Sequence, residues 1–143
     1  MSAYAKDAVA VWKTGTAFEV TAGSGHAILT DGDAKAGISP MELVLAALIG
    51  CSGADVIDIL RKKRQDVTGL EIRTHGERSE THPRVYTDIH VNYVITGRGV
   101  DSEAVRRAIE LSENKYCSVS AMLHGTAKFT IGFEIHEAEP LAA

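Results

Sequence analysis

The hydrophobic pattern changes period along the chain, and one stretch has no period at all. From Met41 to Ile49 nearly every residue is apolar, and Gly50-Cys51-Ser52-Gly53-Ala54 extends the run before the first acid, Asp55. A helix without a water-facing stripe has to be covered on all sides by protein. Its start is marked in three ways: Ser39 as cap, Pro40 at the first helical position, where a missing N–H leaves nothing unpaired, and Glu42 placed to complete a capping box. The predicted helix covers about 40–64. The basic run Arg61-Lys62-Lys63-Arg64 suits the negative end of its dipole, and Asp66 and Gly69 lie near its stop.

Elsewhere the periods are those of strands and of one amphipathic helix. Ala8–Trp12, Ala17–Thr21 and His26–Thr30, separated by Gly15, Gly23-Ser24-Gly25 and Asp31-Gly32-Asp33, predict a small antiparallel meander over about 8–30. These glycines lack the spacing of a dinucleotide or phosphate loop. Strands follow over about 70–96. Leu70, Ile72 and Thr74 share one face of the first; Val85, Thr87, Ile89, Val91, Tyr93 and Ile95 share one face of the second, and a polar loop from Glu77 to Pro83 joins them. Gly97-Arg98-Gly99 breaks that strand, and Asp101 or Ser102 caps a second helix over about 102–123. From Asn114 this helix either continues or bends into a short separate piece. Phe129, Ile131, Phe133 and Ile135 face inward in a last strand over about 127–136. A chain of 143 residues with this order reads as one α+β domain, 1–143.

Composition narrows the function classes. Hydrophobic content of 45% and charged content of 24% describe a soluble globular protein. A net charge of −4 argues against a nucleic-acid partner, which needs a basic face to replace counterions. No apolar segment follows a positive N-terminus, so no signal peptide is expected. The apolar run around Met41 to Ala54 is shorter than a bilayer span and is followed by Asp55 and Asp58, so no membrane association is expected and the expected location is cytoplasmic. In that compartment two cysteines read as free, redox-active or simply buried rather than as a permanent staple.

Candidate chemistry is sparse. The six histidines show no paired ligand spacing, and neither a metal nor another cofactor is expected. Ser118 and Ser120 lack a nucleophile-elbow pattern. Asp55 and Asp58, three apart, read as a solvated helix face. A lone cysteine in an apolar helix is first a small buried hydrophobe. A reactive one needs a cation or a helix N-terminus to lower its pKa, and Asp55, one turn after Cys51, works against that. Whether Cys51 meets Cys117 is left open by the spacing.

Three separated segments carry a resemblance. Ser39-Pro40 to Cys51, with the cysteine eleven positions after the proline, resembles the first-cysteine helix of the OsmC/Ohr superfamily, the osmotically induced protein C and organic hydroperoxide resistance proteins. Lys115-Tyr116-Cys117-Ser118-Val119-Ser120 resembles its second-cysteine motif. His82-Pro83-Arg84-Val85-Tyr86-Thr87-Asp88-Ile89 is similar to the middle of the OsmC-like branch. The resemblance covers roughly residues 37–135. It implies an α+β, OsmC-like fold in which curved antiparallel sheets wrap two long helices in an intertwined homodimer. It also implies that Cys51 attacks the peroxide and that Cys117 resolves the sulfenic acid into a disulfide which a dithiol reductant reopens.

The sequence also departs from the peroxidase members of that superfamily. They keep a glutamate directly after the helix-start proline and an arginine in the N-terminal region. Here Met41 follows Pro40, Glu42 stands one position later as the capping-box acid and the nearest supporting candidate, and no arginine precedes Arg61. Lys13 and Lys35 carry charge there but lack the planar, two-donor guanidinium. Two readings follow: a thiol-dependent reductase of organic hydroperoxides acting through Cys51 and Cys117, and a non-peroxidatic homodimer that binds a small apolar or thiol-containing ligand at its interface.

Overall fold

The structure is a computed structural model and describes residues 2–141. The chain divides into two compact units, Met1–Val44 and Leu45–Ala143.

In the first unit β1 (Ala8–Thr14), β2 (Ala17–Ala22) and β3 (Ala27–Asp31) form an antiparallel meander in the order β1-β2-β3, within two residues of the predicted bounds. Gly15 takes φ 55 in the first turn, a conformation that glycine adopts without a Cβ clash, and its carbonyl accepts from the Trp12 indole N–H at 2.9 Å. Asp31 is more than the turn residue its sequence context suggests. Its Oδ1 accepts from Thr16 Oγ1 (2.5 Å) and the Asp33 N–H (3.0 Å), and Oδ2 accepts from the Ala36 N–H (3.0 Å). These bonds, that from Thr16 first, hold its carboxyl at about 2. The Asp31 N–H then donates to the Ile38 carbonyl at 3.0 Å, which ties the end of β3 to the segment leading into α1.

The predicted capping box is present. The Ser39 N–H donates to Glu42 Oε1 at 3.0 Å, and the Glu42 N–H donates to Ser39 Oγ at 3.3 Å. Helix α1 spans Pro40–Lys62. It ends before the predicted stop because Arg64 enters the left-handed region at φ 59. The Gln65 N–H bonds back to the Leu60 carbonyl at 3.0 Å, a Schellman closure made by a non-glycine residue. Asp66 then opens a strand, and Gly69 lies inside that strand at a register shift.

The second unit is built on a sheet in the order β4-β5-β6, with β4 at Asp66–Arg78, β5 at Tyr86–Arg98 and β6 at Lys128–Glu137. β4 and β5 pair antiparallel as expected, but β5 and β6 are parallel, with Tyr93 opposite Phe133 and Ile95 opposite Ile135. This corrects the all-antiparallel expectation. The reason is the helical connection between them, since a crossover returns the chain in the same direction. The inward face of β5 is also not a single alternation. Glu77 pairs with Asp88 and Arg78 with Tyr86, leaving Thr87 as a bulge, so Tyr86 is buried while Val85 is exposed.

The second helix is three pieces rather than one: α2 (Ser102–Leu111), a π-helical turn (Ser112–Tyr116) and α3 (Ser118–Leu123). Asp101 caps α2, accepting the Glu103 N–H at 3.2 Å. The core of this unit joins Leu48, Val56 and Leu60 of α1, Ile89, Val91, Tyr93 and Ile95 of β5, and Ala104, Val105 and Ala108 of α2. Each of the larger aliphatic side chains contributes about 1.5–3 kcal/mol by leaving water. Gly53 lets α1 approach the sheet closely: a Cβ there would lie 2.9 Å from Ile72 Cδ1.

Within the chain α1 is covered on one line only. Leu48, Ser52, Val56 and Leu60, four apart, are buried, whereas Ala46, Ala47, Gly50 and Ala54 are exposed, and only 22% of its most apolar 18-residue stretch is buried. The expectation of cover on all sides is therefore not met by this chain alone. The length argument against a membrane span is also corrected. The helix continues past Ala54 through Val56, Ile57 and Ile59, and by length and composition it would reach across a bilayer. Ser52 and Asp55 on the same helix are committed to hydrogen bonds inside the second unit.

Candidate functional site

Cys51 lies midway along α1, where the helix leaves the thiol half-buried. Cys117 lies at the bend between the π-helical turn and α3. Its backbone is extended there (φ −76, ψ 104), which breaks the second helix and turns the side chain's element away from the line of α2. The π turn closes through the Cys117 N–H, which donates to the Ser112 carbonyl at 2.8 Å. Single π turns inside α-helices recur at functional positions because they re-aim side chains. Sγ of Cys117 caps α3 by accepting the Ser120 N–H at 3.3 Å.

Cys51 is near enough to Cys117 to act on its thiol. This is the juxtaposition that sequence spacing left open. Their environments differ. Cys117 is buried, and burial pushes its thiol up to about 12; the Ser120 N–H works in the opposite direction, and the neighbouring Cys51 raises it further. Cys117 is thus the thiol that keeps its proton, and Cys51 is the one that solvent reaches.

Beneath the pair runs a set of polar groups in an otherwise apolar core. The Tyr93 hydroxyl and Ser52 Oγ share a short hydrogen bond, and both residues are fully buried. Ser112 Oγ lies 3.2 Å from Ser52 Oγ and donates to Asp55 Oδ2 at 3.0 Å. Burial raises the Tyr93 hydroxyl to about 12, its bond to Ser52 opposes this, and the charges of Glu113 and Cys117 add to the rise. On the other side Glu113, whose side chain is 7% exposed, accepts from Ser120 Oγ at 2.8 Å and contacts His124 Nε2 at 3.1 Å through Oε2. Its influence on Tyr93 is electrostatic first, and among the described residues no hydrogen-bond partner reaches its other oxygen, Oε1. The His124 ring stacks on Phe129 at 4.1 Å.

Several of these roles were not read from the sequence. Asp55 and Asp58 do not share one solvated face: Asp55 is half-buried on Ser112, whereas Asp58 pairs with Lys62 at 2.8 Å in solvent. Ser52, the one hydroxyl in the apolar run, was the available signal, because a buried hydroxyl needs a partner. Ser120 is a buried donor to Glu113. Tyr93 was placed on the correct strand face without its hydroxyl's role. Glu42, the supporting candidate, is engaged in the helix cap, which holds its carboxyl below the usual range through the Ser39 N–H and hydroxyl. Among the described residues no group of three His, Cys, Asp or Glu side chains is placed to hold a metal ion.

Comparison with known proteins follows from this geometry. The family model described as OsmC-like protein matches residues 31–132. Protein YhfA of Escherichia coli (strain K12) is 44% identical over 125 residues, which cover 87% of this chain and 93% of that protein. The crystal structure of a hypothetical protein from Aquifex aeolicus VF5 is similar at 35% identity and a TM-score of 0.87, covering 94% of this chain and 98% of that one. The Organic Hydroperoxide Resistance Protein OhrB of Bacillus subtilis superimposes with a TM-score of 0.63 over 93% of this chain and 100% of its own, at 16% identity, a likeness of fold.

The difference between the two thiols has a direct readout. In Cys51→Ser protein, alkylation of Cys117 by iodoacetamide should rise about tenfold per pH unit without a plateau up to about pH 10, because only the thiolate reacts. A plateau near pH 8 or 9, followed by mass spectrometry, would contradict the buried, protonated thiol.

Proposed function

The chain belongs to the OsmC-like protein family, and from that premise we propose that it is a thiol-dependent reductase of organic hydroperoxides acting through Cys51 and Cys117. The observation that carries this reading is the pairing of unlike environments, a half-buried thiol on α1 acting on a buried, protonated thiol at the bend before α3. The name of the Bacillus subtilis neighbour points to the same chemistry.

In this reading the Cys51 thiolate attacks the outer peroxide oxygen. The O–O bond breaks, an alcohol leaves after taking a proton, and Cys51 becomes a sulfenic acid. Cys117 then displaces hydroxide from the Cys51 sulfur, forming the disulfide and, with a proton, water. A dithiol reductant reopens the disulfide by exchange and is itself oxidised. Glu42 contributes by starting α1 through its cap. The apolar surroundings of Cys51 on α1 suit an organic rather than a polar peroxide.

A homodimer belongs to the same proposal. The exposed apolar flank of α1, with Ala46, Ala47, Gly50 and Ala54, and the exposed Val9, Val11 and Trp12 of β1 are surfaces that a second copy would cover. In this reading the protein works in the cytoplasm, where dithiol reductants are available. A second reading, an interfacial binding site for a small apolar or thiol-containing ligand without peroxide chemistry, is favoured by Met41 after Pro40 and by the lack of any arginine before Arg61.

On addition of a slight excess of tert-butyl hydroperoxide, the reduced protein is expected to lose two hydrogen atoms within seconds. A sulfenic acid should be trapped in Cys117→Ser but not in Cys51→Ser protein. Thiols that stay reduced for many minutes would favour the binding reading. For the assembly, sedimentation equilibrium at micromolar concentration is expected to give twice the chain mass, and a stable monomer would refute the shared-helix arrangement.

A further inference from the structure

One carboxylate on α1 is held in place close to the exchanging thiol and is not neutralised. Cys51, Asp55, Asp58 and Lys62 follow one another at spacings of four, three and four, so they share one stripe of the helix. Neighbours on such a stripe lie ~6 Å apart at their Cβ atoms. Asp55 is half-buried, and its Oδ2 accepts from Ser112 Oγ at 3.0 Å. Ser112 is itself fully buried, and its carbonyl accepts the Cys117 N–H at 2.8 Å. The Asp55 carboxylate is thus one helical turn from Cys51 and tied to the π turn that ends at Cys117. It lines a cleft of about 280 Å³ together with Asp58, Ile59, Lys62, Leu111 and Tyr116.

The other charges nearby do not cancel it. Lys62 Nζ pairs with Asp58 Oδ2 at 2.8 Å, and both side chains are more than half exposed, so that pair is neutral as a unit and screened by water and salt. Lys115 is exposed and stands 5.2 Å from the centre of the Tyr116 ring. Glu113, on the π turn, adds negative charge and is held by Ser120 and His124. Among the described residues Asp55 has no ion-pair partner, and no arginine precedes Arg61. A ligand that comes to Cys51 along this stripe therefore meets a negative field whose fixed, half-buried source is Asp55.

We propose that Asp55 selects the thiols and disulfides that exchange with Cys51, favouring those that carry an ammonium or guanidinium a few bonds from sulfur and disfavouring those that carry a carboxylate. The reach follows from the helix. A cationic group two or three carbons from sulfur spans the one turn between Asp55 and Cys51, so the charge sits in the cleft while the sulfur meets the thiol. In the proposed cycle the selection acts on the dithiol reductant. Its thiolate attacks the Cys51 sulfur, the Cys51–Cys117 bond breaks, and Cys117 leaves and takes a proton. The reductant's second thiol then displaces Cys51 from the mixed disulfide, which leaves the reductant oxidised and Cys51 free. Asp55 acts on the ligand's charge and takes no part in the bond changes. The role rests on Cys51 as the exchanging thiol of that proposal but not on peroxide as its oxidant.

Exchange at Cys51 alone provides the test. Full-length Cys117→Ser protein is used, since a serine can cap α3 in place of the thiol. Mixed-disulfide formation is timed by mass spectrometry with cystamine, hydroxyethyl disulfide and dithiodipropionate, which are cationic, neutral and anionic. Each rate is divided by the rate of the same disulfide with N-acetylcysteinamide, which cancels its intrinsic reactivity, and ratios between disulfides cancel the thiolate fraction of Cys51. The normalised ratio of cystamine to dithiodipropionate is expected to be about tenfold or more at low ionic strength, the scale of one partly screened charge pair. It should fall toward one in about 0.5 M sodium chloride. Asp55→Asn, which keeps the shape and an acceptor for Ser112, should also bring it near one. The double variant Asp58→Asn/Lys62→Gln removes the exposed pair and should leave the ratio in place. Equal normalised rates, preference for the anionic disulfide, no reaction of Cys51 with any of the three, or a cation preference that survives in Asp55→Asn would overturn the role. Cation preference in a protein whose Cys51–Cys117 disulfide never forms would reject the proposed couple and leave the selection by Asp55 standing.

Discussion

A buried thiol, Cys117, stands near a half-buried one, Cys51, and the local backbone of the second unit is arranged around that pair. Cys117 can sit next to Cys51 only if the chain stops being a regular helix just before it. The π turn at Ser112–Tyr116 and the extended backbone at Cys117 supply that break. α1 must in turn lie close to the sheet, which Gly53 permits against Ile72. The hydroxyls of Ser52 and Ser112 then meet Tyr93 between the helices and the sheet, where each finds a partner that an apolar core would not offer.

The electrostatics separate the roles of the two cysteines. Desolvation acts first on Cys117 and keeps it protonated, opposed by the backbone N–H groups of Ser120 and, less, Val119 at the start of a six-residue helix. Carboxylates stand at both ends of the hydroxyl series, Glu113 buried and Asp55 half-buried, and each has a different set of partners. Two anions near a thiol site do not favour a second thiolate. Burial therefore leaves Cys117 as the protonated thiol and Cys51 as the one that solvent reaches.

The sequence made the elements legible where local rules decide them. The Ser39-Pro40-Met41-Glu42 signature placed the start of α1 to the residue, and alternation placed the core faces of β4 and β6. What escaped had non-local causes. Arg64 closes α1 in a conformation normally reserved for glycine, so Gly69 was a misleading stop. The bulge at Thr87 reverses the alternation of β5 for reasons set by its pairing with Glu77 and Arg78. The parallel pairing of β6 depends on the crossover through α2 and α3, which period alone does not reveal. At the site, both cysteines were readable from motif resemblance, but their partners were not. Tyr93, Ser112 and Asp55 lie far apart in sequence and share a hydrogen-bond series only in the fold.

The central claim is that Cys51 and Cys117 form one intrachain redox couple. Equilibrating the anaerobic protein across graded ratios of reduced to oxidised dithiothreitol, then trapping and mapping its peptides, tests this most directly. The expected result is a single Cys51–Cys117 disulfide that forms within one chain and opens completely at the reducing end of the series. Thiols that remain reduced at every ratio, or disulfides found only between chains, would contradict it.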